Sequence, residues 1–141
     1  MQHIAEYRKT EVNVSDKVRI VSLLYDGAIN FIRIAKKRME YGDIAGKGLF
    51  IGKATAIVGE LSSSLNMDGG EIAKNLRRLY DYILDRLLYA NLRNDPMAFD
   101  DIERILDALR SAWKDMEKGE RVVSENAPII ARNTVGMELR V

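Results

Sequence analysis

At 141 residues the chain has room for one domain and one hydrophobic core. Its 22 basic and 21 acidic residues nearly cancel, so the composition carries neither a nucleic-acid-binding field nor an acidic cation-binding tail. Cysteine is absent, which excludes disulfides, thiolate chemistry and zinc fingers, and 47% hydrophobic against 30% charged residues is an ordinary soluble balance.

The opening MQHIAEYRKTEVNVSD holds no apolar run of the secretory type. No stretch reaches the roughly 18–20 apolar residues of a membrane span, so no membrane insertion is expected, and the absence of cysteine fits the cytoplasm. Residues 1–14 read as a polar arm with Ile4, Tyr7, Val12 and Val14 as scattered apolar points. Ser15 then suits an N-cap, with Asp16 placed where a negative charge favours the helix dipole. Val18, Val21, Tyr25, Ala28, Ile32, Ala35 and Met39 recur at three- and four-residue steps, which predicts a helix over 16–41 stopped by Gly42.

Asp43 caps a second predicted helix, 44–66, with Ile44, Ile51, Ala54, Val58, Leu61 and Leu65 on its apolar face. NMDGGE at 66–71 is turn chemistry. The third helix, 71–93, carries Ile72, Leu76, Leu79, Tyr80, Ile83 and Leu87. In NDP at 94–96, Asp95 caps the fourth helix and Pro96 takes its first position. Phe99, Ile102, Leu106, Leu109, Trp113 and Met116 form its stripe over 96–118, and Gly119 closes it. Helices of roughly 22–26 residues, on the order of 33–39 Å long, joined by short turns predict an all-α, antiparallel up-down-up-down four-helix bundle over 15–119. Residues 120–141 contain Pro128 and Gly136 and end in period-two alternation, which reads as a flexible or extended tail.

No catalytic or cofactor site emerges. A di-metal bundle centre wants a Glu-x-x-His pair on two helices, and this chain has a single histidine, His3, in the arm. GKGLFIGK at 46–53 lacks the P-loop order and no strand precedes it. The tripeptide Leu-Tyr-Asp occurs at 24–26 and again at 79–81. On helical wheels each Leu and Tyr straddles the core seam, while Asp26 and Asp81 fall roughly 150° away, on the solvent side. That placement argues against a carboxylate dyad and for a tyrosine that buries its ring and gives its hydroxyl a partner.

Two features exceed what a core needs. On the third helix Leu84, Leu88 and Leu92 line one flank of the core stripe, and Tyr82 and Tyr89 line the other. On the second helix Gly48, Gly52, Thr55, Gly59 and Ser62 fall within an arc of roughly 80°. Each interior glycine costs about 0.5–1 kcal/mol relative to alanine, so the cluster requires a reason. Close packing by a neighbouring helix of the same bundle is one. Docking of a client helix in a groove is the other.

LLYDGAI at 23–29, GGEIAKNLRRLYDYILDRLLYAN at 69–91 and LRSAW at 109–113 resemble the flagellar export chaperones of the FliS family, in register with the four helices over about residues 4–118. The resemblance implies a non-enzymatic four-helix bundle without cofactor. It would bind the disordered C-terminal segment of flagellin in the bacterial cytoplasm, prevent premature polymerisation and keep the subunit secretion-competent. Some members also contact the flagellar anti-sigma factor or the export gate, which makes a regulator-binding bundle the main rival. The family's Ile-x-x-Tyr arm, matched by Ile4 and Tyr7, implies a movable cap over the client site. The tail beyond the tryptophan-bearing helix departs from the family pattern, and Ile129 and Ile130 would suit an internal plug of the client groove. The expected partner-binding residues are Ile4, Tyr7, Gly48, Gly52, Thr55, Gly59, Leu84, Leu88 and Tyr89, on a monomer or weak homodimer.

Overall fold

The computed structural model describes residues 14–119, apart from the side chains of Val14, Ser15, Met116 and Glu117. The arm with Ile4 and Tyr7, the tail with Ile129 and Ile130, and the expected stripe position of Met116 lie outside the described residues. Within them the chain forms four α-helices and no strand: α1 (Val14–Glu40), α2 (Ile44–Ser63), α3 (Glu71–Arg93) and α4 (Pro96–Gly119), with a single 3₁₀ turn at Met67–Gly69 between α2 and α3.

The helix ends follow from local chemistry. α1 already includes Ser15, so that serine lies inside the helix and is not its N-cap, contrary to the sequence expectation. At the other end Gly42 takes φ +76°, its N–H donates to the Met39 carbonyl at 3.0 Å, and the Asp43 N–H donates to that of Arg38 at 2.8 Å. This paired pattern around a left-handed glycine is the Schellman stop. Asp43 belongs to both helices, because its carboxylate also accepts the Gly46 N–H at 2.9 Å and so caps α2.

α2 ends at Ser63, three residues before the predicted 66. The hydroxyls of Ser63 and Ser64 donate back to the Gly59 and Glu60 carbonyls, each at 2.9 Å, a local bonding mode that competes with continued helix. Gly70, at φ +81° and ψ −149°, supplies a conformation that only glycine adopts readily and turns the chain into α3. Asn94 ends α3 in the left-handed region at φ 53°. Asp95 then accepts the Met97 N–H at 3.0 Å and Pro96 opens α4.

α1 packs against α2 and α4, and α3 against the same two, so the helices form a four-sided ring with α1 and α3 diagonal. The centre is filled by Val18, Val21, Tyr25, Ile32, Ile51, Val58, Leu61, Leu76, Tyr80, Ile83, Leu87, Phe99, Ile102, Leu106 and Trp113. Ile44, expected on the buried face of α2, is instead 73% exposed. It lies roughly 60° round the wheel from the seam set by Ile51, Ala54, Val58 and Leu61, on the first turn. Lys47, which opens that seam in steps of four, three and four residues to Ile51, Ala54 and Val58, takes the buried position in its place.

Asp26 also departs from expectation. Its carboxylate accepts from Arg110 Nη1 at 3.0 Å and lies 3.7 Å from Lys114 Nζ, tying α1 to α4. Ser22 and Ile29 are buried on the α4 side of α1. They widen the covered arc, so a residue placed on the solvent side by the seam alone sits at a helix–helix junction. Asp81 is exposed, as predicted.

Candidate functional site

The glycine flank of α2 faces the side of the bundle occupied by α3, and α3 does not fill it. Among the described residues an ideal Cβ placed on Gly52 or Gly59 meets nothing within 4 Å, and one on Gly48 meets only Asn91 Oδ1, at 4.0 Å. Of the two explanations for the cluster, close packing within the bundle therefore fails for Gly52 and Gly59. Thr55 is exposed and turns its hydroxyl back onto the Ile51 carbonyl at 2.8 Å. The flank is a smooth strip of backbone and small side chains with its polar atoms directed inward.

Across from it, Leu84, Leu88 and Asn91 share one flank of α3, spaced four and three residues apart. Leu84 is half-buried against the core, whereas Leu88 is 60% exposed. Lys47 Nζ donates to the Asn91 carbonyl at 2.7 Å and to Asn94 Oδ1 at 2.5 Å, which anchors the first turn of α2 to the last turn of α3. A shallow groove results, with glycines on one wall and leucines on the other.

Tyr89 lies elsewhere. The Arg86 guanidinium stands 4.8 Å from its ring centroid, and Arg86 Nε is 3.5 Å from Asp101 of α4. The Tyr82 hydroxyl donates to the same carboxylate at 2.6 Å. The Tyr82 hydrogen bond, aided by the charges of Arg104 and Arg86, holds the Asp101 carboxyl below the usual carboxylate range. The same hydrogen bond holds the Tyr82 phenol above its own range, against the two arginine charges. Gly48, Gly52, Thr55 and Gly59 thus share one flank of α2, Leu84 and Leu88 share one flank of the α3 helix packed beside it, and Tyr89 stacks with Arg86, which reaches Asp101 of α4.

One surface went unremarked in the sequence. Ile20 and Leu23 of α1 are 53% and 60% exposed, and they border half-buried Phe31 and Ile34 on α1 and Phe50 and Ile57 on α2. The Phe31 and Phe50 rings stand 5.9 Å apart, with Lys53 Nζ 5.5 and 5.7 Å from their centroids. The signal was a second stripe on α1, formed by Ile20, Leu23, Gly27, Phe31 and Ile34 at three- and four-residue steps. Among the described residues no three acidic or histidine side chains group as a metal site, and no helix is long and apolar enough to cross a membrane.

The family model described as flagellar protein FliS matches residues 1–120. A flagellar secretion chaperone FliS of Salmonella typhimurium is 41% identical over 100 residues, covering 70% of this chain and 74% of the relative. That of Vibrio cholerae is 40% identical over 105 residues, covering 74% and 77%, and that of Bacillus subtilis is 32% identical over 115 residues, covering 82% and 86%. An all-α bundle of four helices, with the Leu-Tyr-Asp segments packed into its centre, is matched along most of its length by these proteins: the chain belongs to the FliS family of flagellar secretion chaperones.

Proposed function

We propose that the chain acts in the cytoplasm as an export chaperone for flagellin. It binds the disordered C-terminal segment of that protein, prevents its premature polymerisation and keeps it competent for secretion, without catalysing a reaction. The observation that carries this reading is the open glycine flank of α2 facing Leu84 and Leu88. Two of its three helix-weakening residues, Gly52 and Gly59, face space that nothing in the described chain fills, and an incoming amphipathic helix gains close backbone approach there. Gly48, Gly52, Thr55, Gly59, Leu84 and Leu88 are the groove contacts. Tyr89 extends the footprint onto the α3–α4 seam, and Ile4 and Tyr7 act as the movable cap that the family resemblance implies. A client that folds as it binds spends much of its contact energy on ordering, so a long wrapped surface is needed.

The test is calorimetric titration with a peptide covering a flagellin C-terminus. Binding with a strongly negative heat-capacity change is expected. Gly52→Leu with Gly59→Leu fills the groove and weakens binding while far-UV helicity is retained; unchanged affinity would move the site off α2. The separate apolar face of Ile20, Leu23, Phe31 and Phe50 favours a second partner. The anti-sigma factor and the export gate are the candidates. Loss of a lysate partner on Leu23→Asp, with peptide affinity intact, separates that role from flagellin binding.

A further inference from the structure

The groove between α2 and α3 runs out at the end of the bundle that holds the turns at 41–43 and 94–95. There a cleft of about 340 Å³ is lined by Met39, Gly42, Ile44, Lys47 and Asn94. Ile44 stands at the foot of the glycine flank, four residues before Gly48.

Lys47 is only 3% exposed, yet none of the ion pairs formed among the described residues includes it. Its ammonium donates to two neutral acceptors, the Asn91 carbonyl and Asn94 Oδ1. An ammonium has three N–H donors, and these two acceptors account for two of them. The carbonyl end of α3 offsets part of the buried charge, but a partial dipole is a weaker counterpart than a carboxylate. A cation without a counter-charge, at the floor of a cleft walled by Met39 and Ile44, fits an anionic group attached to an apolar residue.

We propose that this cleft is a carboxylate subsite. It takes the free C-terminal carboxylate of the bound client peptide on Lys47 and lays the last apolar side chain against Ile44 and Met39. A terminal carboxylate suits the position because the groove stops at the two turns, so a segment following the glycine flank ends beside the ammonium. The proposal rests on the flagellin reading and deepens it.

Two flagellin C-terminal peptides, identical except that one ends in a free acid and the other in an amide, are titrated into the full chain by calorimetry. The amide is expected to bind about tenfold more weakly, as loss of a charge-assisted contact predicts. Ile44→Glu, at an exposed position that leaves the fold intact, places a competing carboxylate at the cleft and lowers the free acid to the affinity of the amide. Lys47→Gln does the same where thermal unfolding shows it folded. Equal affinity of the two peptides for the parent chain overturns the subsite and leaves the flagellin reading standing. Failure of both peptides to bind overturns the flagellin reading and the subsite with it.

Discussion

The Tyr25 and Tyr80 hydroxyls meet at 2.5 Å across the diagonal of the bundle, one from each Leu-Tyr-Asp segment. Both rings are fully buried, and their polar tips converge where α1 and α3 otherwise barely touch. The repeated tripeptide is therefore one packing device seen from its two sides. Tyr25→Phe and Tyr80→Phe should each lower unfolding free energy by about 1–2 kcal/mol, because each leaves the other hydroxyl with one partner fewer in a dry core. The double variant should lose less than the sum, with a coupling of about 0.5–1.5 kcal/mol in urea unfolding. Strict additivity would show that neither hydroxyl depends on the other.

Glycines on α2 divide by what surrounds them. A Cβ on Gly52 or Gly59 meets no atom of the described residues within 4 Å, so alanine there should raise stability by about 0.4–1 kcal/mol each. A Cβ on Gly46 falls 2.3 Å from the Asp43 carboxylate that caps the helix. Gly46→Ala should displace the cap and cost about 1 kcal/mol. Thermal midpoints of the three variants read the contrast directly, and a gain at Gly46 would refute this account of the cap.

Asp101 gives the fold an acid-sensitive tie. Its folded pKa lies below the unfolded value, mainly through the Tyr82 hydrogen bond and secondarily through Arg104 and Arg86. A depressed carboxyl contributes stability that is fully present above the unfolded value of about 3.9 and is lost as pH falls through the folded one. Urea midpoints should decline from about pH 4 downward, and Tyr82→Phe should flatten that decline. An identical slope in the variant would remove Tyr82 as the cause.

Asp26→Asn cuts the link from α1 to Arg110 and Lys114. The groups are partly exposed, so the cost should be about 0.5–1 kcal/mol and should shrink in 1 M salt. A deficit that persists unchanged in salt would assign it to packing.

Four apolar stripes and the stops at Gly42, Asp43 and Asp95-Pro96 were legible because each depends on residues a few positions apart. Ile44 was expected on the buried face and is exposed, because an apolar residue about 60° off the seam was counted with it, while Lys47, on the seam itself, went unremarked because its charge hid its position. Asp26 was misplaced for a related reason: the width of the buried arc is set by α4, through Ser22 and Ile29, and not by α1 itself. The glycine cluster was visible as an anomaly. Whether α3 filled it was not, since that depends on the distance between two helices.

The polar ties among the described helices are unevenly shared. α4 is bound to α1 through Arg33–Glu103, Lys36–Asp100 and Asp26–Arg110, and to α3 through Asp101. For α2 the side-chain hydrogen bonds and ion pairs to other helices fall at its first residues, through Asp43 and Lys47, and beyond that end it is held by apolar contact and by Lys53 over two rings. The second helix is thus pinned at one end like a clock hand. Its far end near Ser63 should be the first to swing, with backbone amides there exchanging with deuterium before those around Ile51. A client wedging into the glycine strip would prise the bundle at its least laced joint, and α4 would stay in place as the frame against which that joint opens.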